Sequence, residues 1–274
     1  MQTAATIILL FIYGGLAAYV WGFWQNRPNE TYPLARELAL LAPALAVHAW
    51  LVWSPLVSGN MVIFSFGHAL NLVTWLMLLM YMIGSIFYPL KGLQILLYPL
   101  AAFSLLLAVT LPGQASGYAM SNLPFIVHVG SSILAYCLFG IATLLAVLII
   151  LLERDLRRHR MSALMRFLPP LLSLEKLMFQ GIWIGFALLT VSVVSGTFFA
   201  EIVFGAPFQW THKAVFGIAS WLIYAVLLYL RVVRSWRGKK AAWWVIIGFL
   251  SLMLAYIGSK FVLEILLGRS SLLR

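Results

Sequence analysis

The chain has 274 residues, of which 64% are hydrophobic and only 9% charged, against about 25% charged in a soluble domain. With a mean hydropathy of +1.01, this excludes a soluble globular fold and predicts an all-α, polytopic membrane helix bundle organised as one domain, 1–274. The formal net charge of +11 would suit a nucleic-acid partner, but its placement assigns it to topology and anionic lipid instead.

A bilayer core of about 30 Å takes about 20 apolar residues in helix. That length predicts eight transmembrane helices, at about 4–24, 38–57, 65–88, 92–111, 123–152, 177–200, 214–233 and 241–266. The first run has no basic leader and no small-residue cleavage site, so it reads as a retained span. Pro43 and Pro99 fall inside the second and fourth spans, where proline kinks a helix and leaves a carbonyl for the bundle to satisfy. The second span also carries His48, near its middle. The third opens with His68 and the fifth, "NLPFIVHVGSSILAY", with His128. Cys137 is the only cysteine, which excludes an intramolecular disulfide, a CxxC redox pair and CxxCH haem attachment.

The connector "ERDLRRHRMSALMRFLPPLLSLEK" mixes basic and apolar residues at helical spacing. It reads as a helix on the inner leaflet or as a docking segment for a partner, with His159 a surface residue. In the sixth span, Gly181, Gly185, Ser192, Ser195 and Gly196 are small residues that let helices approach closely. "FGAPFQWTHK", residues 204–213, leads into the seventh span, and "SWRGKKAAWW" is a basic turn before the eighth.

Fourteen of the eighteen Lys and Arg residues lie on the connectors after spans one, three, five and seven. The positive-inside rule makes these cytoplasmic and puts both termini outside, on the periplasmic face of a bacterial inner membrane. His68, His128 and His212 then open spans three, five and seven at one depth near the outer face, with His48 deeper. Imidazoles from different helices suit the two axial positions of a haem iron. Trp210, Phe208, Phe204 and Trp221 can wall a haem slot, and Lys213 and Lys260 can meet the propionates. The competing readings are interhelical hydrogen bonding for each histidine and an interfacial belt for the aromatic residues. Zinc is disfavoured because Glu201 and Glu264 show no ligand spacing. A transporter is disfavoured for want of paired broken helices and of buried acids for proton coupling.

From span five onward the chain resembles the cytochrome c assembly protein family, the CcsA- and CcmC-type haem-handling membrane proteins. The likeness is carried in order by "HVGSSILAY", "GFALLTVSVVSGTFFAE", "WTHKAVFGIASWLIYAVLLYLR" and "SWRGKKAAWWVIIGFLSLMLAYIGSKFVLE", with "FGHALNLVTWLMLLMY" a weaker match. In that family a tryptophan-rich segment, roughly WGxxWxWDPKE, forms an outward haem platform, and outer histidines ligate the iron. "FGAPFQWTHK" keeps Gly205, Trp210 and Lys213 but has Phe204 and Phe208 in tryptophan positions and Thr211 and His212 in place of Asp-Pro. Tyr229 falls where some members carry histidine, and the final segment lacks the outer histidine of the haem exporters. These departures resemble the shorter, HemX-like and YpjD-like branch.

The resemblance carries over His128 as an iron ligand. His212 is the expected replacement for the lost partner, with His68 in reserve and Trp210 and Lys213 in the binding site. The implied role is non-covalent haem handling in cytochrome c assembly rather than catalysis, with cytochrome c maturation or haem-synthesis proteins as partners. The alternative is a regulator or scaffold of haem biosynthesis that binds no haem and acts through residues 153–176.

Overall fold

The computed structural model describes residues 2–27, 30–54, 61–111, 116–119, 123–159, 167–204, 207–259 and 261. In chain order they form α1 (Gln2–Asn26), α2 (Leu34–Trp53), β1 (Met61–Phe64), α3 (Phe66–Phe87), α4 (Leu93–Thr110), β2 (Ser116–Ala119) and α5 (Leu123–Arg157). These are followed by α6 (Leu171–Phe198), the short α7 (Ala200–Phe204), α8 (His212–Arg234), α9 (Gly238–Met253) and a single π turn, Leu254–Gly258. Eight of the described helices are long and apolar enough to cross a membrane, so every predicted span is present and the chain is a multi-pass membrane protein.

The boundaries differ in informative ways. α2 starts four residues before the predicted span and so takes Glu37 into its first turn. Pro43 and Pro99 lie inside α2 and α4 without ending them. The last span leaves α-geometry at Met253. One feature has no counterpart in the sequence reading: β1 and β2 pair antiparallel, from Met61 with Ala119 to Phe64 with Ser116. They join the connectors after α2 and α4.

Two groups of helices make up the bundle. In the first half α1 packs on α4 and α2, and α3 on α4 and α2; in the second α5 packs on α6 and α9, and α8 on α9 and α6. α5 also meets α3 and α4, which joins the halves. Lipid chains are as apolar as Leu, so helix association rests on close packing and interhelical hydrogen bonds rather than on hydrophobic transfer. Phe139 of α5 stacks on Tyr224 of α8 with ring centroids 3.8 Å apart. Gly185 and Gly248 leave room for those two rings. Across the other crossings Thr74 and Ser104 share a 2.8 Å hydrogen bond, Trp75 Nε1 donates to the Leu45 carbonyl at 3.0 Å, and Ser220 donates to the Gly248 carbonyl at 2.9 Å. Each is worth about 0.6 kcal/mol. Phe11, Phe87 and Phe198 are among the large apolar side chains left exposed, as a lipid-facing surface requires.

At the end of the bundle that carries the basic connectors, Glu153 and Glu175 converge on the start of α9. Glu175 Oε1 accepts the Gly238 N–H and Glu153 Oε2 accepts the Lys239 N–H at 2.7 Å. Two carboxylates thus satisfy the amides that every helix N-terminus leaves unpaired and oppose its positive dipole end. Gly238 has φ +60, and an added Cβ would sit 2.9 Å from Glu153 Oε2. This fixes glycine in the "WRG" turn for a structural reason. Of the connector 153–176, residues 160–166 lie outside the described residues; both flanks are tied to α9 through these carboxylates.

Candidate functional site

The residues proposed for haem lie at the other end, where α3, α5 and α8 begin. His128 stands in the second turn of α5, half-buried. Its Nδ1 shares a 2.8 Å hydrogen bond with Ser195 Oγ of α6. The backbone beneath it is gathered by two serines of its own helix. Ser131 and Ser132 donate to the His128 carbonyl at 3.0 and 2.6 Å, and Ser132 and Ser192 share a further 2.6 Å bond across the helix pair. The imidazole lies against Gly196: a Cβ there would fall 2.9 Å from His128 Cε1. The small residues of span six, expected to serve packing, thus also hold the His128 side chain in place.

α8 begins at His212, capped by Thr211, whose side chain accepts the Ala214 N–H at 3.3 Å. β-branched Thr at N-cap serves the helix start as Asp would. His212 is exposed. Trp210 is 76% exposed and meets Phe208 edge to face, 5.2 Å between centroids. Lys213 Nζ lies 5.9 Å from the centroid of Tyr256, in the π turn. His68 is the third residue of α3, half-buried, with its backbone N–H on Ser65 Oγ at 3.3 Å. Trp221 lies two to three turns into α8, where its Nε1 donates to Thr190 Oγ1 at 2.9 Å and its ring stacks on Phe186, so it serves the α6–α8 crossing. Tyr136, eight residues after His128, donates to the Leu252 carbonyl at 2.8 Å, next to the π turn. Tyr229 is 62% exposed. The side chain of Phe204, and Gly205, Lys260 and Glu264, lie outside the described residues.

Among the described residues no three His, Cys, Asp or Glu side chains gather as a metal site. A haem brings four of its own nitrogens and asks the protein for one or two imidazoles, an aromatic surface and cations. Ser195 holds one ring nitrogen of His128, as the second group on a ligating histidine does.

Buried polar groups of the first helices include His48, which the sequence places deeper than the other histidines, and Glu37, which it does not single out. His48 of α2 is fully buried, its Nδ1 3.1 Å from Tyr13 Oη of α1. Glu37 is also fully buried, accepting hydrogen bonds from Tyr81 and Tyr98. The expected absence of buried acids does not hold: a span starting at residue 38 leaves Glu37 in the connector, whereas α2 starts at Leu34 and buries it.

The sequence matches the model of the family described as cytochrome C assembly protein over residues 38–267. It is 31% identical to the inner membrane protein YpjD of Escherichia coli K12 over 62% of this chain and 64% of that protein. The match thus spans slightly less than two thirds of that relative's length. It is 25% identical to the cytochrome c biogenesis protein CcsA of Prochlorococcus marinus over 90% of this chain and 87% of the relative. To the CcsA of Guillardia theta it is 28% identical over about half of each.

Proposed function

Because the chain belongs to the cytochrome c assembly protein family, we propose that it acts in cytochrome c biogenesis as a haem-handling protein of the bacterial inner membrane. The resemblance to CcsA proteins and to an inner membrane YpjD protein supports this reading, as does the concentration of Lys and Arg on alternate connectors, which would place the His128 end outside. The observation that carries it is the seat of His128, with Ser195 on Nδ1 and Gly196 against the ring.

In this proposal His128 and His212 would hold the haem iron, with His68 in reserve. Haem, when bound, supplies the redox-active iron, and the protein supplies position and surroundings rather than turnover. Ser195 fixes the imidazole's rotation. Gly196 lets α6 approach close enough for that bond to form. Exposed Trp210, braced by Phe208, offers an apolar face to a macrocycle arriving at the surface. Lys213 offers a cation to a propionate.

The test is an optical spectrum of the purified protein with and without added haem. The parent is expected to give a haem spectrum that His128→Ala abolishes and His212→Ala alters in ligation. Parent-like binding by both variants would overturn the ligand assignment.

A further inference from the structure

The WRG turn borders an open cavity of about 530 Å³ where α5, α6 and α9 meet at the basic end of the bundle. Small-molecule sites run to about 300–1,000 Å³. Arg157, Arg237, Lys239 and Lys240 line it, with Glu153, Glu175 and Trp243, so four cations face two carboxylates. Both carboxylates are engaged by the protein itself. Buried Glu175 accepts the Gly238 N–H. Glu153 accepts the Lys239 N–H on one oxygen and Arg157 Nη2 on the other, each at 2.7 Å. Those two α9 amides are therefore taken, and what the cavity presents is side-chain cations. Arg237, Lys239 and Lys240 are exposed, and among the described residues no carboxylate pairs with any of them. Lys240 Nζ lies 4.0 Å from the centroid of Trp236, within cation–π range.

The cavity continues onto an apolar track. Trp243, Ile247, Leu250 and Leu254 are each about half exposed, and spacings of four, three and four residues put them on one face of the helix. Eleven residues at 1.5 Å each make the track about 16 Å long, the depth of one leaflet in a core of about 30 Å. A soluble anion would use the cations and leave the track empty, whereas a lipid uses both. A zwitterionic headgroup would bring its own ammonium against the unpaired cations; an anionic headgroup brings none. Arg237 can hold two phosphate oxygens at once through its guanidinium fork, and the lysines act as point charges.

We propose that this cavity binds one anionic phospholipid, with its phosphate among Arg237, Lys239 and Lys240 and an acyl chain along Trp243, Ile247, Leu250 and Leu254. The basic connectors as a whole attract anionic lipid diffusely; here the cations, the cavity and the track coincide and define a single site. It shares no residue with the haem proposal and stands without it.

Native mass spectrometry of the full chain, released from detergent with added lipid, tests the site. The parent should retain one phosphatidylglycerol, bound severalfold more tightly than phosphatidylcholine; equal affinity for the two would overturn the proposal. A basic side chain near the membrane surface contributes about fivefold, so Arg237→Gln/Lys239→Gln should weaken phosphatidylglycerol binding roughly 25-fold. Should that variant fail to fold, Lys239→Gln alone should weaken it about fivefold. Arg154→Gln/Arg158→Gln removes the same charge from exposed residues outside the cavity, where salt screens it, and should leave affinity within about twofold. Equal losses in the two double variants would reduce the effect to diffuse charge and refute the site. Glycerol 3-phosphate, a headgroup without chains, should not displace the lipid; displacement at matched concentration would make this a site for soluble anions and refute the lipid assignment.

Discussion

Gly196→Ala gives the sharpest test of how His128 is held. The added Cβ falls 2.9 Å from Cε1, 3.5 Å from Nδ1 and 3.8 Å from Nε2 of the imidazole. Carbon atoms rest about 3.5–4.0 Å apart, so the ring must retreat by roughly 0.6–1 Å. The His128–Ser195 bond is 2.8 Å long, and that retreat carries it to about the limit of hydrogen bonding. Overpacking costs about 1–3 kcal/mol, while Gly to Ala in a helix returns about 1 kcal/mol. Net stability should fall by no more than about 2 kcal/mol, so the protein still folds. Loss of an orienting partner lowers metal affinity about 10–100-fold. Haem titration followed by absorbance should show a drop of that size. Gly14→Ala, whose Cβ would meet nothing within 4 Å, gains the same propensity and should bind haem as the parent does. Equal affinity in Gly196→Ala and Gly14→Ala would refute the role given to this contact.

Ser195→Ala should weaken haem binding about tenfold with little change in thermal unfolding, read by the same titration. Trp210→Ala should leave stability within about 0.5 kcal/mol, because that side chain is exposed, yet reduce haem affinity. Gly238→Ala should destabilise by about 1–3 kcal/mol, read as a lowered unfolding temperature, since the new Cβ meets Glu153 Oε2 at a positive φ; Lys239→Ala keeps its backbone N–H and should unfold like the parent. For orientation, Cys137 is buried, so a single introduced cysteine can be labelled without background. A membrane-impermeant maleimide applied to intact cells should label Gln209→Cys and not Arg158→Cys, and the reverse pattern would invert the topology.

The spans were legible because about twenty apolar residues in a row admit few other structures, and the histidines because ionisable groups are rare at that depth. Their surroundings were not. Ser195 and Gly196 carry a small-residue pattern that any close helix crossing would show, and nothing local says that the facing residue is His128, 67 positions earlier. Glu37 was lost at a span boundary: in a linear reading it is one more charge in a polar connector, and only the three-dimensional meeting of Tyr81 and Tyr98 shows that it is buried. The β1–β2 pairing links segments 55 residues apart, and two four-residue strands give no periodicity strong enough to announce it. Trp221 misled by type, since an indole at a crossing and one at a haem edge look alike in sequence.

α5 is anchored at both of its ends. His128 is fastened to α6, and 25 residues later Glu153 is fastened to the first amides of α9. At 1.5 Å per residue these anchor points stand roughly 38 Å apart along one rod. A single inserted residue between them would lengthen the rod by about 1.5 Å and turn one end against the other by about 100°, so both attachments could not survive. Length variation among homologues should therefore collect in the loops and stop at this helix, whose residue count is set as firmly as its sequence.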